Sequence, residues 1–117
     1  MEPAVQSSAN NVRFDERGLV PVVVQEAASG EVLMLAYASR EALERTLESR
    51  EAWFWSRARQ ELWHKGAISG DRLRIINVIA DCDTDALLYV VELLGNGVCH
   101  TVGPDGKNRP SCFFQQL

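Results

Sequence analysis

The sequence predicts a strand-dominated α+β domain, with a mainly antiparallel twisted sheet or barrel-like core and one main helix near residues 40–50. Three observations carry this. Runs rich in valine and aromatic residues recur along the 117 residues, one segment alone has helical spacing, and no strand–helix–strand alternation appears. Residues 1–12 read as a flexible polar tail and 13–117 as one domain.

Leu19 to Glu26 is valine-rich, and Pro21 falls near its start, where a strand tolerates proline. Ala27-Ala28-Ser29-Gly30 is a turn signal, and Val32 to Tyr37 then completes a hairpin. Ser39 suits a helix N-cap, and Glu41 places a carboxylate in the first turn. Ala42, Leu43, Thr46 and Leu47 share one helical face. Ala52 to Arg57 is an aromatic strand, and Gln60 to Asp71, with Gly66, Ser69 and Gly70, reads as a functional loop. Leu73 to Ala80 and Ala86 to Leu94 are strands separated by an acidic turn. Val98 to Val102 is a further candidate strand, followed by a Gly/Pro-rich loop from Gly103 to Pro110.

Composition narrows the classes. Hydrophobic residues at 46% and charged residues at 24% fit a folded chain rather than a disordered one. A net charge of −4 argues against a general nucleic-acid surface. The N-terminus lacks the pattern of a secretory signal, and the apolar runs are too short to span a bilayer. A cytoplasmic protein with no membrane partner is the expectation. Three cysteines, an odd number, argue against a disulfide framework.

Asp81-Cys82-Asp83-Thr84-Asp85 sets three carboxylates at alternate positions around a thiol. In an extended segment the carboxylates would share one face and Cys82 the other. Clustered oxygens suit magnesium or calcium, and a solvated acidic turn is the plainer alternative. An EF-hand loop is excluded: its glycine position holds Ala86, and Leu87 to Val91 continues as a strand.

Cys82, Cys99 and Cys112 include no Cys-x-x-Cys knuckle, so each could simply be a small buried residue. Together they could supply three corners of a tetrahedral zinc site, with the fourth open to water. His100, beside Cys99, could move protons or be merely a polar neighbour.

The central loop is locally basic. Arg57, Arg59, Lys65, Arg72 and Arg74 face only Glu61 and Asp71 between residues 57 and 74. With Gly66, Ser69 and Gly70 it could cradle a phosphate, and Trp63 could stack on a base or serve the core. A small phosphorylated molecule fits this short cluster better than single-stranded nucleic acid.

These segments together resemble phosphoribosyl-AMP cyclohydrolases of histidine biosynthesis. The resemblance is carried by Phe14-Asp15 with Gly18-Leu19-Val20-Pro21, and by Gly30-Glu31-Val32-Leu33-Met34-Leu35-Ala36-Tyr37. Trp55-Ser56-Arg57 and Leu62-Trp63-His64-Lys65-Gly66 with Ser69-Gly70 follow. The acidic-cysteine motif, Cys99-His100-Thr101 and Ser111-Cys112-Phe113 complete it, in order across roughly residues 14–114.

The resemblance implies an intertwined homodimer with metal sites at its interface. Zinc would bind Cys82 of one chain with Cys99 and Cys112 of the other, and magnesium would bind Asp81, Asp83 and Asp85. It further implies zinc-dependent hydrolysis of the N1–C6 bond of the adenine ring of 1-(5-phosphoribosyl)-AMP, with His100 the candidate acid–base. Arg57, Arg59, Trp63, His64, Lys65, Ser69 and Gly70 are then the candidate substrate-binding residues. Two departures from the family pattern stand out: residues 101–111 form a longer connection between the last two cysteines, and Ala67 follows Gly66. They keep open a divergent member acting on another phosphorylated purine-like amidine, or a non-catalytic zinc-bridged nucleotide-binding dimer.

Overall fold

The structure, a computed structural model, describes residues 9–117. Most of the expected tail, residues 1–8, lies outside the described residues. Ala9–Asn11 forms one 3₁₀ turn, and Ala9 and Val12 are buried against the core.

The elements are β1 (Leu19–Glu26), β2 (Val32–Ser39), α1 (Arg40–Ser49), β3 (Trp53–Ser56), β4 (Glu61–His64), β5 (Leu73–Ala80) and β6 (Leu87–Leu93). The fold is α+β and rich in antiparallel pairs, as expected, but the sheet is open and no barrel closes. Four strands pair in the order β2-β1-β6-β5, and β3 pairs with β4 as a separate ribbon. The hairpin β1–β2 and the pair β5–β6 are antiparallel. The central pair β1–β6 is parallel, with Val22 opposite Leu87 and Val24 opposite Tyr89. Sequence pattern did not reveal this pairing, because a parallel pair needs a long crossover and leaves no local turn signal. Here the crossover holds α1 and the β3–β4 ribbon.

Alternation explains the core. Val20, Val22 and Val24 of β1 and Leu87, Tyr89 and Val91 of β6 all point to one face and are buried. Helix α1 contributes Ala42, Leu43 and Thr46 to the same core, and β3 contributes Phe54. Ser39 caps α1 as its residue type predicts: its Oγ accepts the Ala42 amide at 3.1 Å. The helix ends where Arg50 turns left-handed at φ 61°.

One element was missed. Glu61–His64 is strand β4, paired antiparallel to β3 with Phe54 opposite Trp63. Its four residues abut the glycines of the following loop, too few to show a period of two. Val98 to Val102 does not form a strand. It is held by single bonds and one bridge, Val102 to Asn108.

Candidate metal and substrate site

The acidic motif is a turn rather than an extended segment. Thr84 sits in the left-handed region at φ 61°, and its amide donates to the Asp81 carbonyl at 3.0 Å. Asp81 Oδ1 also accepts the Asp85 amide at 3.1 Å. The turn replaces the expected alternation with closer gathering: carboxylate oxygens of Asp81, Asp83 and Asp85 lie within 4.8 Å of one another, all exposed. A hydrogen bond between Asp83 and Asp85 lowers the pKa of Asp83 and raises that of Asp85. Three gathered carboxylates of like charge could be offset by a divalent cation. Hard oxygen donors of this kind fit magnesium.

Cys99 and Cys112 form a second centre. Cys99 is buried, and its Sγ lies 2.8 Å from the Thr101 hydroxyl. Burial would raise the Cys99 pKa, but it is outweighed by hydrogen bonds from the Thr101 hydroxyl and amide and from Cys112, with the Arg109 charge also lowering it. Cys112 is exposed as a residue, yet its thiol sits against Cys99. Loss of hydration pushes it up to about 11, reinforced by the Cys99 charge and by the hydrogen bond it donates. Two adjoining thiols fit a soft ion such as zinc, which binds their deprotonated form. Cys82 is exposed, and among the described residues the three sulfurs do not form one cluster within the chain.

Lys65 completes this centre from the central loop. It is 9% exposed, and its Nζ donates to the Val98 carbonyl at 2.7 Å. Desolvation lowers its pKa, while Asp71, Cys112 and Cys99 pull it back up. The ammonium therefore sits on the backbone before Cys99, near enough for the charges of both thiols to act on it. His100 is exposed beside them, and an open cavity of about 430 Å³ is lined by Cys112, Phe113 and Phe114.

The other candidate substrate residues separate into groups. Arg57 and Arg59 stand exposed at the β3–β4 turn. Arg57 lies 4.0 Å from the ring centre of Tyr37 and lines a cavity of about 590 Å³ with Arg17, Trp55 and Gln60. Trp63 packs on Phe54, with ring centres 5.5 Å apart, which makes it a core residue at least in part. His64 stacks on Trp53 at 4.5 Å, and its Nε2 lies 2.7 Å from Glu51 Oε1. Ser69 and Gly70 are exposed, and Ser69 Oγ accepts the Asp71 amide at 3.2 Å.

Sequence reading missed three participants. Asp71 was counted only against the basic loop, yet it is 9% exposed and accepts from the Asn96 amide and the Asn108 side chain. Thr101 was quoted within a motif without a role, although its hydroxyl meets Cys99. Glu51 carried no motif, yet it holds both His64 and Arg72.

Fold and site define a small α+β protein with two candidate metal centres, one of carboxylates and one of thiols, beside a basic loop. The comparisons make the class specific. Residues 34–114 match the family model for phosphoribosyl-AMP cyclohydrolase. A phosphoribosyl-AMP cyclohydrolase of Aromatoleum aromaticum is 50% identical over 107 residues, covering 92% of this chain and 76% of that protein. The histidine biosynthesis bifunctional protein HisIE of Gloeobacter violaceus is 60% identical over 103 residues, 88% of this chain and 44% of that protein. That of Nostoc sp. is 50% identical over 104 residues, 89% and 45%. The chain thus spans about three quarters of the first relative and less than half of the bifunctional ones. It belongs to the phosphoribosyl-AMP cyclohydrolase family.

Proposed function

We propose that the protein is a phosphoribosyl-AMP cyclohydrolase that hydrolyses the N1–C6 bond of the adenine ring of 1-(5-phosphoribosyl)-AMP, the step its family serves in histidine biosynthesis. The observation that carries the reading is the convergence of Cys99, Cys112 and Lys65 from distant segments, with Cys112 opening onto a surface cavity.

Cys99 and Cys112 would hold zinc, with Cys82 supplied by a second copy of the chain, because the third thiol does not join them within one copy. Such an ion lowers the pKa of bound water to about 7 and so supplies a nucleophile at neutral pH. Thr101 orients the Cys99 sulfur by its hydrogen bond. Lys65 offsets the negative charge of the thiolates from its buried position. His100, exposed and next to Cys99 in the chain, would deliver a proton to the departing N1. Asp81, Asp83 and Asp85 would hold magnesium, which would supply positive charge for a phosphorylated substrate. Arg57 and Arg59, with Ser69 and Gly70, would receive the two phosphate groups, and the soluble biosynthetic setting fits a cytoplasmic homodimer.

The test is a paired measurement on purified protein: metal content per chain, and ring opening of phosphoribosyl-AMP followed by absorbance. Zinc with turnover supports the proposal. Zinc without turnover favours a divergent hydrolase or a nucleotide-binding dimer, and the absence of bound zinc at saturating supply overturns the thiol site.

A further inference from the structure

The connection from Thr101 to Ser111 is long for two residues that must present their sulfurs together. Closing a longer flexible loop costs entropy, and slack in it would let the sulfurs drift. The structure removes that slack by zipping the base of the loop. The Val98 and Cys99 amides donate to the Pro110 and Arg109 carbonyls, each at 3.2 Å, and the Arg109 amide donates to the Thr101 carbonyl at 3.0 Å. Cys112 is fixed separately: its amide donates to the Leu33 carbonyl at 2.7 Å, beside Ser111 Oγ bonded to the Val32 carbonyl at 2.8 Å.

Lys65 holds the zipped base directly, through the Val98 carbonyl. The far side of the loop is held instead by Asp71. Its Oδ2 accepts from Asn108 Nδ2 at 2.9 Å, and its Oδ1 accepts the Asn96 amide at 3.0 Å. The carboxylate is seated closely: a Cβ at Gly95 would collide with it, and a Cβ at Gly66 would collide with the Asp71 backbone. Asp71 therefore joins three segments: its carboxylate holds the Gly95–Gly97 turn and the loop between the cysteines, and its backbone packs against Gly66.

We propose that Asp71, acting through Asn108, is a positioning residue that sets the Cys99–Cys112 pair in the geometry a metal ion requires. This rests on the thiol-site reading above. Hydrogen bonds made directly to metal ligands govern metal affinity by about 10–100-fold, and Asp71 acts one step further out, which sets the expectation at the lower end.

The experiment titrates the protein with Co²⁺ and follows the thiolate-to-cobalt charge-transfer band, with thermal unfolding in parallel. Asp71→Asn sets two amide donors against each other at the Asn108 contact. Asn108→Ala removes the contact from a half-exposed position where the fold is least at risk. Both should weaken cobalt binding about tenfold. The double variant D71N/N108D reverses donor and acceptor, keeps an oxygen for the Asn96 amide, and should restore wild-type affinity and the shape of the band. A merely structural role would lower the unfolding temperature without that reciprocal recovery. Unchanged affinity in Asn108→Ala, or failure of the double variant to recover, overturns the proposal while leaving the thiol site intact. A wild-type protein showing no thiolate–cobalt band overturns both.

Discussion

The two candidate metal centres are built in opposite ways. Asp81, Asp83 and Asp85 come from five consecutive residues, stand exposed, and are gathered by one turn held mainly by its own bonds, with a long-range tie from the Arg13 amide to the Thr84 carbonyl. Cys99 and Cys112 are 13 positions apart by number, meet beside Lys65 from another loop, and depend on β2 to fix one of them. A local site of exposed charges can form with little help from the fold, and solvent screens it. A non-local site of desolvated thiols exists only when several segments dock together. Damage to the fold should therefore reach the second centre long before the first.

The most severe way to break the comparison is Cys99→Ser. It exchanges a soft sulfur for a hydroxyl at the buried member of the pair. Loss of zinc and of ring-opening activity should exceed the ~100-fold that outer-sphere changes cost, while the unfolding transition of the metal-free protein stays near wild type. Metal analysis and turnover on the same sample check this. Retained zinc would mean that Cys99 is not a ligand.

Gly95→Ala tests whether docking alone controls the thiol centre. No metal-capable atom changes, but a Cβ would strike the Asp71 carboxylate. Overpacking of this kind costs roughly 1–3 kcal/mol. Denaturant unfolding should show that loss, together with weaker cobalt binding at the thiols. Magnesium binding at the acidic turn should not change. A variant that lost both metals equally would show that the two centres are not independent.

The same contrast explains what could be read from residues alone. The acidic turn is legible because its members are contiguous. β1, β5, the β1–β2 hairpin and α1 are legible because valine runs, turn residues and a Ser39 cap are local signals. The pairing of β1 with β6 is not, since Val22 and Leu87 are joined through a long crossover. Nor is the place of Asp71, whose partners Asn96 and Asn108 lie 25 and 37 positions away. The cysteines were recognised as a set by family resemblance, and spacing alone left them ambiguous. Where the interaction is local, chemistry shows in the string of residues. Where it is carried by docking, only the fold shows it.

Tyr89 extends the point to the core, with no metal involved. Its ring is fully buried, and its hydroxyl reaches Thr46 Oγ1 at 3.5 Å across the sheet–helix boundary. Burial pushes its pKa up to about 12, against about 10 in an unfolded chain, with the Thr46 bond pulling slightly the other way. Between those values the unfolded chain has released the proton and the folded one still holds it. Stability present below pH 10 is thus lost as pH rises toward 12, by roughly 3 kcal/mol. Tyr89→Phe keeps the ring and should flatten that part of the alkaline unfolding profile. An unchanged slope would assign the alkaline loss to other groups.

The mildest change sharpens the comparison from the exposed side. Asp83→Asn removes one carboxylate from the turn and leaves its backbone bonds, which run through Asp81, Thr84 and Asp85. Fold stability without metal should scarcely move, because three exposed carboxylates repel one another and one charge fewer relieves them. Cobalt affinity at Cys99 and Cys112 should also stay the same. What should vanish is the rise in unfolding temperature expected on adding magnesium to the wild-type protein, since a ligand that binds only the folded state stabilises it increasingly as occupancy rises. If Asp83→Asn instead weakened cobalt binding, the acidic turn would be coupled to the thiols, through Cys82, its neighbour in the chain and the ligand proposed to come from a second copy.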